Sequence, residues 1–445
     1  MSKARKFADA SRISDALTLP AGNTASRPAT AVGGSQRYNT DTGSIEFYNG
    51  TTWISTNLIP TVNSVTGAIY AGAASNLTLS VTNATDIVTV RFSEGGSTVA
   101  DVTSVTVTAG SATIAVPAAV YGQTAGDTIA VSVINQDGTP SSNAISKIVA
   151  ALPTGGTITT SGGYRIHTFT SSSSFVVPSG LTLSNVEYLV VAGGGGGGGA
   201  YYGGGGGAGG YRSSVVGESS GGGASAESRL NLTAGSYTVT IGGAGAAGAY
   251  QNRGSNGGDS VFGSITSTGG GGGGTDSSKN GLSGGSGGGA GKTTGGINNQ
   301  GASGAGTANQ GYNGGGNNGS SIYNGSGGGG AGALGRDGTS GSPYGSGGNG
   351  VSSSITGSSV TRAGGGGGAV DVNNTSSGAV VVGGSGGGGN SEGTNSGSWS
   401  SGPFIAATTG SINTGGGGGA GCHNNMHSGN GAAGGSGIVI VRYAL

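Results

Sequence analysis

The chain has 445 residues, of which 109 are glycine and 9 are proline, whereas glycine supplies roughly 7% of an ordinary protein. A collagen triple helix is excluded because glycine does not occupy every third position. The 17 Lys and Arg residues balance the 17 Asp and Glu residues, so no nucleic-acid partner is expected. The single cysteine, Cys422, excludes an internal disulfide.

The first predicted element is a short amphipathic helix within the first 18 residues. Phe7, Ile13 and Leu17 recur at helical spacing, while basic side chains occupy other positions. A helix of about 14 residues is marginal alone in water, so this apolar stripe needs a partner surface. The alternative is a frayed tail. No apolar run follows the basic start, so we expect no secretory signal and a protein that stays soluble after synthesis in the cytoplasm.

A β-hairpin is predicted next, because Asn49-Gly50 separates two β-rich runs, residues 44–48 and 51–55. Asn-Gly is a strong hairpin signal, because a two-residue hairpin turn needs positive φ at both of its positions. A small hairpin that carries Phe47 and Trp53 cannot form a core by itself. Residues 1–58 are therefore predicted to be an attachment segment that is completed by assembly.

Residues 59–152 are predicted to form an immunoglobulin-like β-sandwich that acts as a spacer. Six runs with strand-like alternation are separated by turn residues, at residues 77–81, 87–92, 102–108, 112–116, 128–134 and 144–150. Six or seven short strands in about 90 residues suit this fold without its disulfide.

Residues 153–445 are predicted to form a second β-sandwich that carries a large glycine-rich insertion at about residues 193–436. Strands are expected at residues 164–170, 174–177, 186–192, 228–232, 237–241 and 260–266. The chain closes on the apolar run 438–441, which is typical of a buried strand. We expect this last strand to pair near residues 164–192. The fold class is thus mainly β throughout.

The insertion has two physical interpretations. A flexible coil is one, because glycine has the largest backbone entropy to lose. The other is a packed bundle of polyglycine II-like helices, because glycine runs recur with short polar pieces between them. Such threefold helices satisfy their buried main-chain groups by hydrogen bonds to one another. The bundle is the preferred prediction, with the polar pieces as loops at its ends.

No set of catalytic residues is recognisable, so an enzyme and a cofactor are not predicted. The carboxylates are sparse and scattered, whereas a glycosidase needs two at a defined separation. Cys422, His423 and His427 cluster, but three candidate ligands without a fourth make a weak metal site. No metal is predicted, and a display loop that carries both histidines is the preferred interpretation.

Aromatic side chains in the insertion are the best candidates for a binding surface. They are surrounded by small polar residues, and Tyr and Trp give rigid, amphipathic contact area. The alternative is that they cover the bundle or pack between subunits. With the two histidines, the candidates are Tyr201, Tyr202, Tyr250, Tyr312, Tyr323, Tyr344, Trp399, Phe404, His423 and His427.

Several segments resemble the tail fibres and adhesins of tailed bacteriophages. The N-terminal parts of such fibres are similar to residues 1–9 (MSKARKFAD), 37–43 (RYNTDTG) and 48–53 (YNGTTW). The glycine-rich domain of such proteins is similar to residues 187–192 (EYLVVA), 232–242 (LTAGSYTVTIG) and 434–442 (GGSGIVIVR).

The resemblance implies a structural virion protein, most often a homotrimer. Its N-terminus would attach to other virion proteins of the tail or baseplate, with Phe7, Ile13, Leu17, Phe47 and Trp53 as docking or assembly candidates. Its glycine-rich tip would bind a host surface glycan or outer-membrane protein. One alternative is a capsid or neck fibre without a dedicated receptor. Another is a structural glycine-rich protein, such as a cell-wall or ice-binding bundle.

Overall fold

Strands dominate the described part of the chain, which confirms the mainly β prediction. The computed structural model describes residues 19–41, 44–55, 59–136, 138–199, 202–292, 301–316, 324–339, 344–370, 380–394, 404–424 and 427–444. The chain divides into two units, Met1–Ala151 and Leu152–Leu445. The predicted N-terminal helix, with Phe7, Ile13 and Leu17, lies outside the described residues.

Unit 1 begins with a four-stranded sheet of order β1-β2-β3-β4. Its strands are β1 (Ala21–Gly22), β2 (Gln36–Asn39), β3 (Ser44–Tyr48) and β4 (Trp53–Ser55). The predicted hairpin is present as β3 and β4, with Tyr48 opposite Trp53. Its turn differs from the prediction, because Gly50 has a positive φ of 104° and Asn49 does not. The Asn49 side-chain oxygen instead accepts hydrogen bonds from the backbone nitrogens of Thr51 and Thr52, which closes a four-residue loop.

The rest of unit 1 is the predicted two-sheet sandwich. Its elements are β5 (Thr61–Thr66), β6 (Ile69–Tyr70), β7 (Asn76–Thr82), β8 (Ile87–Glu94), β9 (Ser97–Thr106), β10 (Ser111–Ala115), helix α1 (Ala118–Tyr121), β11 (Thr128–Asn135) and β12 (Ile145–Ala150). The sheets have the orders β10-β7-β5 and β6-β12-β11-β8-β9. Strands β8, β11 and β12 take the places of strands C, F and G of an immunoglobulin-like fold. Alternate residues such as Leu79, Phe92 and Val131 fill one core between the sheets.

Unit 2 contains a second pair of sheets and several small hairpins. Its strands are β13 (Thr157–Ser161), β14 (Tyr164–Phe169), β15 (Ser173–Val177), β16 (Leu183–Val191), β17 (Tyr211–Ser213), β18 (Leu230–Leu232), β19 (Gly235–Thr240), β20 (Ser260–Phe262), β21 (Ile265–Ser267), β22 (Val351–Ser353), β23 (Val360–Arg362), β24 (Gly393–Thr394), β25 (Phe404–Ile405), β26 (His423–Asn424), β27 (His427–Ser428) and β28 (Ile438–Ala444). The single strand predicted at residues 260–266 is wrong, because Gly263, with a φ of 57°, turns the chain between β20 and β21.

The C-terminal strand β28 pairs with strands near residues 164–192, as predicted, and it is central to its sheet. It lies between β14 and β16, so that Ile440 is opposite both Thr168 and Leu189. One sheet has the order β13-β14-β28-β16-β17 with β18 also on β16, and the other has the order β15-β19-β20-β21. Strands β17 to β21 therefore come from within the predicted insertion. Glycine-rich segments and sandwich strands alternate along the chain.

Strands β16 and β28 are buried on both faces, which explains their nearly continuous apolar sequences. On one face, Val190 and Val441 pack against Phe175 of the facing sheet. On the other face, Leu189 and Ile440 belong to a cluster that includes alanines of the glycine-rich segments, Ala208, Ala331 and Ala363.

The glycine-rich segments form the predicted polyglycine II-like bundle. Residues 193–199 are its central helix, and every third residue bonds to the same neighbour, as threefold symmetry requires. The amide nitrogens of Gly193, Gly196 and Gly199 donate to the carbonyl oxygens of Gly258, Ser255 and Asn252, each at 3.0 Å. The remaining groups of the helix bond to five further segments, residues 204–207, 245–248, 270–273, 418–421 and 432–435. The central helix thus has six neighbours.

Only glycine fits in this central helix. An ideal Cβ on any residue from 193 to 199 would lie 1.9–2.2 Å from a carbonyl oxygen of a neighbouring segment. The glycine run is therefore required by the close approach of the backbones, which in turn brings the amide and carbonyl groups within hydrogen-bonding distance.

Candidate functional site

The bundle has two ends, which its hydrogen bonds define. Gly193 follows β16 and lies next to the sheets, and Gly199 is about 19 Å farther along a helix that rises ~3.1 Å per residue. Gly199 bonds to Asn252, Gly204 bonds to Gly274, and Gly421 bonds to Gly198. These residues therefore lie at one level, which we call the distal end.

Tyr202 and Tyr250 are candidates that lie at the distal end. Tyr202 is in the turn before Gly204 and has a positive φ of 60°. Tyr250 is in the turn before Asn252 and is 41% exposed. The Tyr250 backbone nitrogen donates to the Asn430 side-chain oxygen at 3.1 Å. The fold therefore joins two loops that are 180 residues apart in sequence.

The hairpins that carry Phe404 and the two histidines start at the same level. Phe404 is 39% exposed and belongs to β25, which pairs with β24. The Glu392 nitrogen, one residue before β24, bonds to the Ala420 oxygen at 2.9 Å. His423 and His427 lie on the paired strands β26 and β27, which follow Gly421.

Tyr344 also lies beside the distal level, and Tyr312 does not. Tyr344 precedes Gly345, and the Gly345 oxygen accepts a hydrogen bond from the Gly368 nitrogen. The next residue, Ala369, donates to the oxygen of Gly203, which follows Tyr202 at the distal end. Tyr312 packs over Gly223, where an ideal Cβ would be 2.6 Å from the Tyr312 hydroxyl oxygen. This position is near β17, on the sheet side of the bundle. Three further candidates, Tyr201, Tyr323 and Trp399, lie outside the described residues.

The fold and the glycine-rich segments agree with a family whose model the sequence matches. A family model described as a glycine-rich domain matches residues 167–444, from β14 to β28. The chain belongs to this glycine-rich domain family. The match includes the sandwich strands as well as the glycine helices, so the two form one family unit. No curated protein matches the sequence.

Charged groups inside the glycine-rich domain connect its strands. Arg442 on β28 donates to Glu187 on β16 at 2.6 Å, and Arg212 on β17 donates to Glu227 at 2.7 Å. The Tyr188 hydroxyl also donates to Glu227 at 2.7 Å, and burial is the main cause that raises its pKa above the ordinary value. These groups stabilise the sheet beneath the bundle.

Of the three candidate metal ligands, Cys422, His423 and His427, the structure describes the side chain of Cys422. Cys422 is buried, and its thiol donates to the Val370 oxygen at 3.2 Å. Among the side chains that the structure describes, no group of three or more His, Cys, Asp or Glu could hold a metal ion. The side chains of His423 and His427 are not among those described.

The four-stranded sheet of unit 1 separates the two described docking candidates onto opposite faces. Phe47 is 36% exposed on the face that also carries Tyr38 and Ile45, which are opposite each other and each 41% exposed. Trp53 lies on the other face with Tyr48, and its ring centroid is 5.9 Å from the Arg37 guanidinium carbon. Tyr38 and Ile45 are not among the predicted docking residues, although the alternation of residues 36–39 and 44–48 places them on the same face.

The face that is buried in this sheet is the polar one. Glu46 is fully buried, forms an ion pair with Arg27 and accepts from the Asn39 amide at 2.7 Å. The hydrogen bond from Arg27 is the main cause that lowers the pKa of Glu46. The polar face of this sheet is thus buried, whereas the apolar face with Tyr38, Ile45 and Phe47 is exposed. No described helix is long and apolar enough to cross a membrane.

Proposed function

We propose that this chain is a structural subunit of a phage virion appendage, a tail fibre or adhesin. In this proposal the loops at the distal end of the bundle bind a host surface glycan or outer-membrane protein. The observation that carries the proposal is the hydrogen-bond register that gathers Tyr202, Tyr250, Phe404 and the β26–β27 hairpin at one end.

The bundle suits such a role because it fixes the positions at which the loops start. Gly199, Gly204 and Gly421, next to these loops, are hydrogen-bonded to neighbouring segments. Fixed loop ends reduce the conformational entropy that binding costs. Exposed aromatic rings such as those of Tyr250 and Phe404 supply contact area with few rotatable bonds.

The N-terminal part has a different role in the proposal. The apolar face with Tyr38, Ile45 and Phe47 docks against other virion proteins of the tail or baseplate, or against further copies of the chain in a homotrimer. The sandwich of residues 61–150 acts as a spacer, since it has its own core and needs no partner for stability. The protein would then be located on the virion, and it would not be an enzyme.

Binding of the full-length chain to intact host cells tests the proposal. We expect saturable binding that unlabelled protein displaces. The double variant Tyr250→Ala/Phe404→Ala should bind about tenfold more weakly, because loss of two interface aromatics costs more than 1.4 kcal/mol. The control is Ile412→Ala, an exposed apolar residue whose neighbour Asn413 bonds to Ser436 on the sheet side.

Two outcomes would contradict the proposal. Absence of saturable binding by a folded chain, across strains that the parent virus infects, would indicate a capsid or neck fibre without a receptor. Equal loss of binding in the Ile412→Ala control would show that the distal aromatics are not the contact residues.

A further inference from the structure

A cleft lies on the flank of the glycine-rich domain, beside β17. Its volume is about 560 Å³, and it is lined by Arg212, residues 224–227 and residues 308–310. This volume is within the range of small-molecule sites, ~300–1,000 Å³. Because Tyr211 of β17 bonds to Gln310, the cleft lies at the sheet side of the bundle. It is therefore separate from the distal loops.

The two charges in the cleft neutralise each other. Arg212 donates from two nitrogens to the two carboxylate oxygens of Glu227, at 2.8 and 2.7 Å. The pair is held in place, because Tyr188 also donates to Glu227 and Arg212 also donates to the Thr266 oxygen at 3.1 Å. Neither an anion nor a cation would find an unpaired counter-charge here.

Hydrogen-bonding groups of the cleft remain available. Arg212 has five N–H groups, and its three bonds leave two of them unused. Gln310 accepts from the Thr268 nitrogen at 2.8 Å, which leaves its amide N–H groups. Within the part of the chain that the structure describes, the side chains of Asn309 and Ser225 make no hydrogen bond.

The remaining walls are small and apolar. Ala224, Ala226 and Ala308 contribute methyl groups, which contact the C–H faces of a ring without filling the cleft. Asn309 has a positive φ of 61°, a conformation that costs free energy in a residue other than glycine. The lining thus combines neutral donors and acceptors with small apolar patches.

We propose that this cleft is a binding site for an uncharged, hydroxyl-rich ligand, that is, a neutral saccharide. Sugar hydroxyls both donate and accept, so they match the free N–H groups of Arg212 and Gln310 and the groups of Asn309 and Ser225. This site goes beyond the proposed function, because it does not depend on the distal loops or on attachment to a cell.

Saturation-transfer NMR on the full-length chain tests this site. The probes are D-glucose, D-galactose and N-acetyl-D-glucosamine, with D-glucuronate as the charged comparison. We expect transfer to at least one neutral sugar and less to glucuronate. Ala308→Trp, which fills the cleft, should reduce the signal at least fivefold. Ala247→Trp, at an exposed alanine elsewhere on the bundle, should leave it unchanged.

Four results would overturn the inference: transfer to no neutral sugar, transfer to glucuronate as strong as to the neutral sugars, an unchanged signal in a folded Ala308→Trp variant, or an equal loss in the Ala247→Trp control. If Ala308→Trp does not fold, the double variant Asn309→Gly/Ser225→Ala takes its place, and retained transfer would overturn the inference equally. Cell binding is measured separately on the same variants, so that failure of this site and failure of the attachment function are distinguishable.

Discussion

Most glycines of the bundle are required by space, and a few are not. An ideal Cβ on Gly196 would lie 1.9 Å from the Ala246 oxygen, although real Cβ atoms essentially never approach another atom within 3.0 Å. Gly243, on a neighbouring segment, has no atom within 4 Å of the same position and no positive φ. The two residues look alike in sequence, since each lies in a glycine-rich run, but only one is fixed by contact with a neighbour.

Substitution of these two glycines by alanine should therefore have opposite effects. Gly196→Ala forces two backbones apart and should cost about 3 kcal/mol or more of the free energy of unfolding. Gly243→Ala should be neutral or stabilising by up to about 1 kcal/mol, since it restricts the unfolded chain. Scanning calorimetry of the full-length variants checks this, with a decrease in Tm of roughly 5 °C or more expected for Gly196→Ala alone. Equal melting temperatures would show that the bundle is loosely packed.

His167 of β14 lies among the aromatic side chains in the core of unit 2. It is fully buried, its Nδ1 is 2.8 Å from the Gly155 oxygen, and its ring lies against Phe175 and Tyr443. Burial is the main cause that lowers its pKa below the ordinary value of 6.5. The histidine is therefore neutral in the folded protein at neutral pH.

This lowered pKa predicts a loss of stability in mild acid. Below about pH 6.5 the unfolded chain binds a proton at His167 and the folded chain does not, so the free energy of unfolding falls until the folded pKa is reached. The slope from one such group is at most about 1.4 kcal/mol per pH unit. Denaturant unfolding between pH 5 and 7 checks this, with His167→Phe as the comparison. An identical pH dependence in both proteins would contradict the assignment.

At the scale of elements, the sequence predicts what side-chain patterns encode. The hairpin at Asn49-Gly50 and the apolar runs of β16 and β28 were predicted, because turn residues and buried strands have characteristic compositions. The sequence predicts one strand around Gly263 where the structure has two, since a single glycine does not distinguish a turn from a bulge. The neighbours of each glycine helix are not predictable from sequence, because residues without side chains do not show which segments pair or in which register. For the same reason, the contact between the Tyr250 and Asn430 loops was not foreseeable.

Removal of β28 should prevent unit 2 from folding. Its side chains contribute to both cores of this unit, with Val439, Val441 and Tyr443 on one face and Ile438 and Ile440 on the other. At ~2 kcal/mol for each buried side chain, their loss is about as large as the whole stability of a domain, ~5–15 kcal/mol. A chain that ends at Ser436 should therefore be cleaved by protease within unit 2, while the sandwich of unit 1 stays resistant.

The control for this truncation is a chain that ends at Tyr443, which lacks only the exposed Ala444 and the residue after it. It should be as resistant as the full chain. Protection of unit 2 in the chain that ends at Ser436 would show that the bundle folds without the central strand.

The whole molecule uses two different principles of stabilisation. The sandwich of unit 1 depends on apolar side chains such as Leu77, Phe92 and Ile129 between two sheets. The bundle of unit 2 depends on main-chain hydrogen bonds between glycine helices, supported by one sheet with apolar side chains on both faces. Composition predicts this division, because glycine is concentrated after residue 192. Composition does not predict which loops lie at the same end of the bundle, because that depends on the hydrogen-bond register between the glycine helices.

The hydrogen bonds that hold the glycine helices lie between main-chain atoms, so the distal loops contribute little to the packing that supports them. Mutations in the loops should therefore have little effect on folding. Insertions, deletions and exchanges between related genes can accumulate there while the framework is inherited unchanged. Natural variation should then concentrate in these loops. Under the proposed function, the range of recognised surfaces can diversify without compensating substitutions elsewhere.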